Sequence, residues 1–303
     1  MMTMLKKLLT VLAVLTVSVT AHAADSDSLD ADSLDVRQPA AGRTVRPVLS
    51  AFGVEGGSAH AADTYLSPLH YSGWHVGLTY ERMQAMRFNP DNWVMQLNIA
   101  AETDRMHNPA MNAWMWNFEL DARWTMMRRW RTVAGIDGLT LAVGPNAELR
   151  GGALYLPRNG NNPAAAKGAV TIGATGMAAY NMTVGRLPVT LRYQCAMPAT
   201  GVFFAPQYGE LYYQIWLGDH DGLARAAWPG NYFRMDNTVT ADLRLGGTTL
   251  RVGYHNITMS TKASHIVSNR TTHAFTLAVV TEWTSLSSRR RPDSDARVIS
   301  ALY

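Results

Sequence analysis

Residues 112–126 read NAWMWNFELDARWTM, and this stretch decides the fold class. Large apolar side chains such as Trp114 and Phe118 occupy every second position, and polar ones such as Glu119 and Asp121 lie between them. A helix would repeat its apolar positions at i, i+3 and i+4, whereas a strand alternates with period two. The stretch therefore predicts a β-strand whose two faces meet different surroundings.

Two further segments, 72–83 and 92–104, show the same alternation. All three are longer than the about 5–6 residues usual in soluble strands, and they suit the about 9–11 residues that a tilted strand needs to cross a bilayer. Trp114 and Trp124 lie ten positions apart on the apolar face. At ~3.3 Å per residue and a ~40° tilt this is roughly 25 Å along the membrane normal. The interval fits an apolar band with an aromatic girdle at each border.

Shorter or interrupted alternation predicts further strands in the segments 46–57, 138–151, 170–183, 187–193, 239–245, 250–254 and 275–283. Short turns alternate with longer loops in membrane barrels, and we expect this order to hold only if 197–236 contains two strands. One is Tyr208–Leu217, and the other begins near Val202 or spans Leu223–Met235. The sequence thus predicts an all-β fold, a closed antiparallel transmembrane β-barrel of about 12 strands, with about 10 as the alternative.

The first residues carry the features of a secretory signal peptide. Lys6 and Lys7 supply positive charge, an apolar run follows at 8–19, and small residues lead to a cleavage site after Ala23. We therefore expect export through a cleaved signal peptide at 1–23 and, for a barrel, location in the outer membrane of a gram-negative cell.

The rest of the chain divides into three parts. Residues 24–45 are acidic, rich in Ser and Ala and without aromatic side chains, so we expect a disordered leader. The outer-membrane barrel is expected at 46–283. The polar segment 284–303 is interpreted as a periplasmic tail, with a last strand ending at the aromatic Tyr303 as the alternative.

Charge and cysteine content argue against a nucleic-acid-binding protein and against a fold stabilised by disulfides. The formal net charge is +4 at pH 7, which is too small and too scattered to argue for a nucleic-acid partner. The single cysteine, Cys195, excludes an intramolecular disulfide. Charged residues make up only 17% of the chain, against about 25% in soluble domains, which favours a surface in contact with lipid.

The polar face of the predicted strands is where function is expected. Its charges would line the lumen, either as an ion-paired filling or as a pore or solute site: Glu81, Glu119, Asp121, Arg123, Glu148, Arg150, Arg192, Asp242, Arg244 and Arg251. Glu119 and Asp121, two residues apart on one face, are candidates for an acid–base pair. His255, Asn256 and Ser260 are the residue types of a Ser/His/Asn catalytic group, but their spacing is not diagnostic.

The segment Gly218–Gly222 is the most conspicuous candidate loop. Asp219, His220 and Asp221 place two carboxylates around an imidazole, a set that suits a metal or catalytic site. Gly and Asp also form ordinary turns, and no second cluster of ligand residues has a matching spacing. We therefore predict no metal site and no cofactor.

Five short sequence motifs carry a resemblance to known proteins: Asp63-Thr-Tyr-Leu-Ser-Pro-Leu, Tyr71-Ser-Gly-Trp-His, Tyr80-Glu-Arg-Met-Gln, Phe204-Ala-Pro-Gln-Tyr-Gly and His220-Asp-Gly. In these the chain resembles an uncharacterised family of secreted and outer-membrane β-barrel proteins from gram-negative anaerobes, known only as a domain of unknown function. The resemblance runs from about residue 50 to about residue 283. It implies no catalytic residues, since the family has none established, and it draws attention to the segment 63–71 and to the His220 loop.

Three hypotheses of function follow. The first is a non-enzymatic outer-membrane barrel that acts as a narrow channel or as a surface or structural component. The second is an outer-membrane hydrolase acting on lipid, with its catalytic groups near the outer rim. The third is a soluble periplasmic β-sheet protein of binding type. We expect contact with outer-membrane lipid and with the barrel-assembly machinery, no nucleic-acid partner, and a monomer.

Overall fold

A computed structural model describes residues 44–160, 162–218, 222–246, 248–283 and 297–302. The predicted signal peptide, nearly all of the predicted leader and the candidate loop Asp219-His220-Asp221 lie outside the described residues. Within the described ranges, no helix has the length and apolar character needed to cross a membrane.

In chain order the strands are β1 (Thr44–Val45), β2 (Val48–Asp63), β3 (Ser67–Ala85), β4 (Trp93–His107), β5 (Trp114–Arg131), β6 (Leu139–Tyr155), β7 (Ala164–Val184), β8 (Leu187–Phe204), β9 (Ala224–Ala227), β10 (Tyr232–Leu245), β11 (Thr248–Ala263), β12 (Ile266–Trp283) and β13 (Arg297–Val298). The helices are α1 (Tyr212–Leu217) and a 3-10 turn at Val133–Gly135. Ten long strands, β2–β8 and β10–β12, pair antiparallel in a ring, because β8 pairs with β10 and β12 pairs with β2. The fold is the predicted closed all-β barrel.

The expected number of about 12 strands is wrong, and the alternative of 10 is confirmed. The connection 205–231 contains α1 and the short β9, which extends from β8, but no further wall strand among the described residues. Tyr212–Leu217 coils into a helix that ends at Gly218, whose φ is 113°, because a short apolar run suits a helix as well as a strand. A single connection between β8 and β10 also lets successive connections alternate between the two ends of the barrel, so the two extra strands are not needed.

The wall separates an apolar exterior from a polar interior. On β5, Trp114 and Trp124 are 39% and 42% exposed, while the alternate Glu119 and Asp121 are buried, as the alternation predicts. The other large side chains exposed on the exterior include Phe52, Val54, Leu78, Val170, Ile172, Leu191, Val239, Phe275 and Leu277. Burying such a belt requires an apolar surrounding outside the barrel.

Glycines let neighbouring strands approach closely in the wall. A Cβ atom on Gly57 would overlap the carbonyl oxygen of His273 on β12, and one on Gly144 would overlap that of Met126 on β5. Gly is the residue that tolerates such an approach of backbone to backbone. Glycine positions of this kind provide the curvature that closes a barrel.

The end of the barrel at which β2 begins and β12 ends, here called the terminal end, is closed by an apolar cluster. Its members are Leu49, Ala51, Met83, Val94, Met127, Ala142, Met177, Ala179, Val280, Ala301 and Leu302. The buried Arg129 donates hydrogen bonds of 2.8 and 2.7 Å to the carbonyl oxygens of Ser300 and Ala301. The described part of the segment interpreted as a polar tail, 297–302, packs into this end, because Ile299 and Leu302 are apolar and become buried there.

The opposite end, here called the loop end, is closed by two apolar clusters and by contacts between loops. The clusters contain Leu66, Tyr71, Met106, Met115 and Leu154, and Phe203, Ala227, Tyr232 and Met259. Tyr65 donates a 2.7 Å hydrogen bond to the carbonyl oxygen of Glu210, and Asn162 donates one of 2.8 Å to the Tyr65 hydroxyl. Burial, together with the nearby carboxylates of Glu210 and Asp63, raises the pKa of Tyr65 to about 12.

Candidate functional site in the barrel interior

The interior of the barrel is filled with charged side chains. Of the ten predicted lining residues, those buried are Glu81, Glu119, Asp121, Arg123, Glu148, Arg150, Arg192, Asp242 and Arg251. Arg244, the last of the set, is half-buried near the terminal end. The inward positions of the strands therefore follow the predicted alternation.

Arg234 on β10 is the centre of one ion-paired group. Its Nη1 atom lies 2.8 Å from Asp121 Oδ2 and 2.5 Å from Glu148 Oε1. Arg123 Nη2 lies 2.7 Å from Asp236 Oδ2, whose carboxylate is also 3.6 Å from Arg234. Because a buried charge is costly unless paired, these partners from β5, β6 and β10 hold opposite sides of the wall together.

Arg150 and Arg270 organise a second group on the side of the loop end. Arg150 holds both carboxylate oxygens of Glu119 at 2.5 Å. Arg270 donates to Asp104 and Glu102 at 2.8 Å and approaches Glu119 at 3.3 Å. Glu119 thus contacts two guanidinium groups, and Asp121 contacts that of Arg234. Both members of the suggested acid–base pair are therefore engaged in ion pairs with arginine.

Glu81 on β3 links a third group on the side of the terminal end. Arg192 Nη1 lies 2.5 Å from Glu81 Oε1, and Arg251 Nη1 contacts Glu81 Oε2. Arg251 in turn forms a bidentate pair with Asp242, with distances of 2.6 and 2.8 Å. Planar guanidinium groups suit such two-point contacts with carboxylates.

Two histidines join carboxylates from different strands into a chain. His75 Nδ1 lies 2.7 Å from Asp104 and its Nε2 lies 4.0 Å from Glu55. His255 bridges Glu55 and Asp236 at 2.9 and 3.0 Å. The chain connects the Arg270 group to the Arg123 group across the lumen.

Sequence reasoning missed several of these residues for different reasons. Glu55 and His75 occupy polar positions of predicted strands, so the alternation alone could have placed them inside. Arg234 and Asp236 fell in the segment with an uncertain strand, and Arg270 fell between the predicted strands 250–254 and 275–283. The period-two alternation shows which side chains face inward, but it does not show which of them pair with one another.

A cavity of about 90 Å³ lies in the middle of this network. Glu102, Arg123 and Arg234 are among the residues that line it, and Glu102 Oε1 and the Nε atoms of both arginines have no hydrogen-bond partner among the described residues. A water needs a polar cavity of at least about 10–15 Å³. The cavity therefore has room for several waters that would satisfy these atoms.

Among the residues that the structure describes, the network pairs nine carboxylates with six guanidinium groups and two imidazoles. Its ion pairs involve Glu55, Glu81, Glu102, Asp104, Glu119, Asp121, Glu148, Asp236 and Asp242, with Arg123, Arg150, Arg192, Arg234, Arg251, Arg270, His75 and His255. Within the described part of the chain, no group of three or more His, Cys, Asp or Glu side chains has the geometry to hold a metal ion. The arrangement is that of a filled lumen.

The structure does not bring together the Ser/His/Asn group suggested by the sequence, His255, Asn256 and Ser260. His255 points into the barrel, where it meets Glu55 and Asp236, whereas Asn256, the next residue along β11, faces the exterior. The Asp219-His220-Asp221 loop lies outside the described residues and stays a prediction.

Comparison with known proteins finds similar solved structures at low identity. The transport unit of the autotransporter AIDA-I from Escherichia coli is 8% identical, with a TM-score of 0.41 over 84% of this chain and 93% of that one. The translocator domain of the autotransporter NalP from Neisseria meningitidis is 12% identical, with 0.35 over 80% and 90%. An outer membrane channel from Pseudomonas putida F1 is 11% identical, with 0.36 over 82% and 100%.

No curated protein matches the sequence. A family model described as a protein of unknown function, DUF3316, matches residues 8–290. The match covers most of the chain and includes the whole barrel wall. The chain belongs to the DUF3316 family.

Proposed function

We propose that this protein is a monomeric outer-membrane β-barrel that is closed in its resting state and serves as a surface or structural component of that membrane. The observation that carries the proposal is the ion-paired middle of the lumen, enclosed between apolar clusters at both ends. A pore needs a continuous polar path, and the proposal is supported by apolar side chains that pack at both ends of the lumen and by ion pairs that fill its middle.

The membrane location is supported by the exterior of the wall. Closed barrels leave no strand edge unpaired, which is the condition for crossing lipid with strands. Apolar side chains cover the middle of the exterior, and Trp114 and Trp124 stand on it at the predicted interval. In this proposal the predicted signal peptide directs export, and the barrel-assembly machinery inserts the barrel into the outer membrane.

A sealed resting state is supported by the energetics of the interior. Opening a path would separate pairs such as Arg150–Glu119, whose side chains are at most 5% exposed. Removing one partner of a buried ion pair costs about 3–5 kcal/mol, and several such pairs share partners here. The thermal population of a fully open lumen is therefore very small.

The test combines membrane fractionation with electrical recording. We expect the full-length protein in the outer-membrane fraction, with gel mobility that changes on heating, as folded barrels show. In planar bilayers it should give no conductance steps under conditions in which an added porin does. Recovery in the soluble periplasmic fraction, or regular conductance steps from the pure protein, would contradict the proposal.

A further inference from the structure

A row of polar side chains crosses the exterior of the barrel on three adjacent strands. Ser58 on β2 lies directly opposite His273 on β12, and His273 lies directly opposite Asn256 on β11. Residues opposed in this way have Cβ atoms about 4.5–5.5 Å apart. The row therefore places a hydroxyl, an imidazole and an amide side by side on the exterior, and none of them takes part in the interior network.

The imidazole of His273 is held from one side only. A 2.5 Å hydrogen bond joins its Nδ1 to the Tyr254 hydroxyl, and Asn256 Nδ2 lies 3.4 Å from the same nitrogen. Asn256 is itself fixed by a 2.8 Å hydrogen bond to the carbonyl oxygen of Thr272. Nδ1 is thus engaged by β11, whereas Nε2 of His273 and the hydroxyl of Ser58, which is opposite His273 on β2, make no hydrogen bond with any described residue.

The row continues towards an unpaired cation. Ser58 is opposite Trp74 on β3, and Trp74 is opposite Arg105 on β4. The Arg105 guanidinium lies 4.0 Å from the centre of the Trp114 ring, and it forms no ion pair within the described ranges. Since neighbouring strands are about 4.8 Å apart, the backbone of Arg105 is roughly 10 Å from that of Ser58, and its guanidinium lies over the rings of Trp114 and Trp116 on β5.

The position of the row is that of a lipid headgroup border. Apolar side chains such as Phe275, Leu277 and Val54 lie on the side of the terminal end, whereas polar residues lie beyond the row on the side of the loop end. Trp and Tyr favour the boundary between lipid and water, and Trp74 and Tyr254 flank Ser58 and His273. Arginine among aromatic rings there suits an anionic headgroup.

We propose that Ser58 and His273 form an esterase site on the exterior of the barrel that acts on acyl esters of anionic membrane lipids. His273 takes the proton of the Ser58 hydroxyl while Ser58 Oγ attacks the ester carbonyl carbon. The bond to the lipid alcohol breaks, that alcohol receives the proton, and the acyl group remains on Ser58. Water, activated by His273, then releases the fatty acid and restores the serine. Tyr254 is the positioning residue, because its hydroxyl oxygen accepts the hydrogen bond from Nδ1–H of His273 and so leaves Nε2 as the base, and Arg105 holds the headgroup.

This inference rests on the membrane location in the proposed function, and it adds an activity to that closed barrel. Different experimental outcomes overturn the esterase inference and the proposed function. A folded, non-conducting outer-membrane protein without esterase activity overturns the inference alone, whereas a soluble or conducting protein overturns the proposed function.

The test measures fatty acid release by the full-length protein in vesicles of phosphatidylglycerol and, separately, of phosphatidylcholine. We expect Ser58→Ala and His273→Ala each to lower kcat by at least about 1,000-fold, as for other members of such groups. Ser72→Ala is the matched control, because Ser72 is an exterior serine opposite His60, whose imidazole makes no hydrogen bond with any described residue. It should leave the rate unchanged.

Two further variants separate positioning from folding. Tyr254→Phe should lower kcat with little change in KM, whereas Arg105→Ala should raise KM for phosphatidylglycerol and leave that for phosphatidylcholine unchanged. All variants are compared only when they show wild-type heat-modifiable mobility. Absence of release by the folded wild type, or equal release by Ser58→Ala, overturns the inference.

Discussion

Replacement of Arg234 by methionine tests whether the interior is a paired network or a loose polar filling. Arg234 is 2% exposed and meets Asp121, Glu148 and Asp236. The substitution keeps an unbranched side chain of similar length and removes only the charge and the donors. Three carboxylates within reach of one another then lose their shared cation.

The expected cost is about 3–5 kcal/mol in the free energy of unfolding, the range for removing one member of a buried ion pair. Adding Glu148→Gln to the variant should recover part of this loss, because it removes one of the uncompensated charges. Arg297→Met is the matched control: its pair with Asp91 is 65% and 41% exposed, and such pairs contribute less than about 1 kcal/mol.

Urea unfolding of the protein in lipid vesicles, followed by tryptophan fluorescence and by heat-modifiable mobility, gives the two free energies. The reasoning is refuted if Arg234→Met loses no more stability than Arg297→Met, or if Glu148→Gln in its background destabilises the protein further.

Three more outcomes follow from particular contacts. Gly57→Val should abolish folding in vesicles, since its Cβ would overlap the His273 carbonyl, whereas Gly56→Ala, with open space at the Cβ position, should fold normally on gels. Deleting 297–303 removes the buried Ile299 and Leu302 and should cost roughly 3–6 kcal/mol without producing conductance, because the ion-paired middle remains; regular steps would show that the tail alone seals the barrel. The pKa of Tyr65 is raised from its ordinary value to about 12. Its contacts therefore contribute fully to the free energy of unfolding below about pH 10, and this contribution is lost as pH rises through about 12. Ultraviolet titration should show one late-titrating tyrosine in the wild type that is missing in Tyr65→Phe.

The sequence predicts the wall of this barrel better than its contents. Alternation around Trp114 and Trp124 is a local property, so it identifies the strands and the direction of each side chain. The partners of Arg270, by contrast, lie 166 and 168 positions away at Asp104 and Glu102. No local pattern contains such pairings, which arise only when β12 closes the ring against β2.

The two ends of the barrel were hard to predict for a related reason. The segment 284–303 is polar on average, and this average hides Ile299 and Leu302, which pack at the terminal end. Likewise, Tyr212–Leu217 has too few residues to distinguish a strand from a helix by period. In both cases the outcome depends on the space left by the surrounding strands.

The contrast between the two faces also limits where chemistry can occur. Every acid suggested as catalytic from the sequence that the structure describes, such as Glu119 and Asp121, is bound to arginine in a lumen that is closed at both ends. A substrate would have to break those pairs before it reached them. The exterior row is different: Ser58 and His273 face the surroundings, and Tyr254 already orients the imidazole. If this protein acts on a molecule, physical access places the reaction on the outside of its wall.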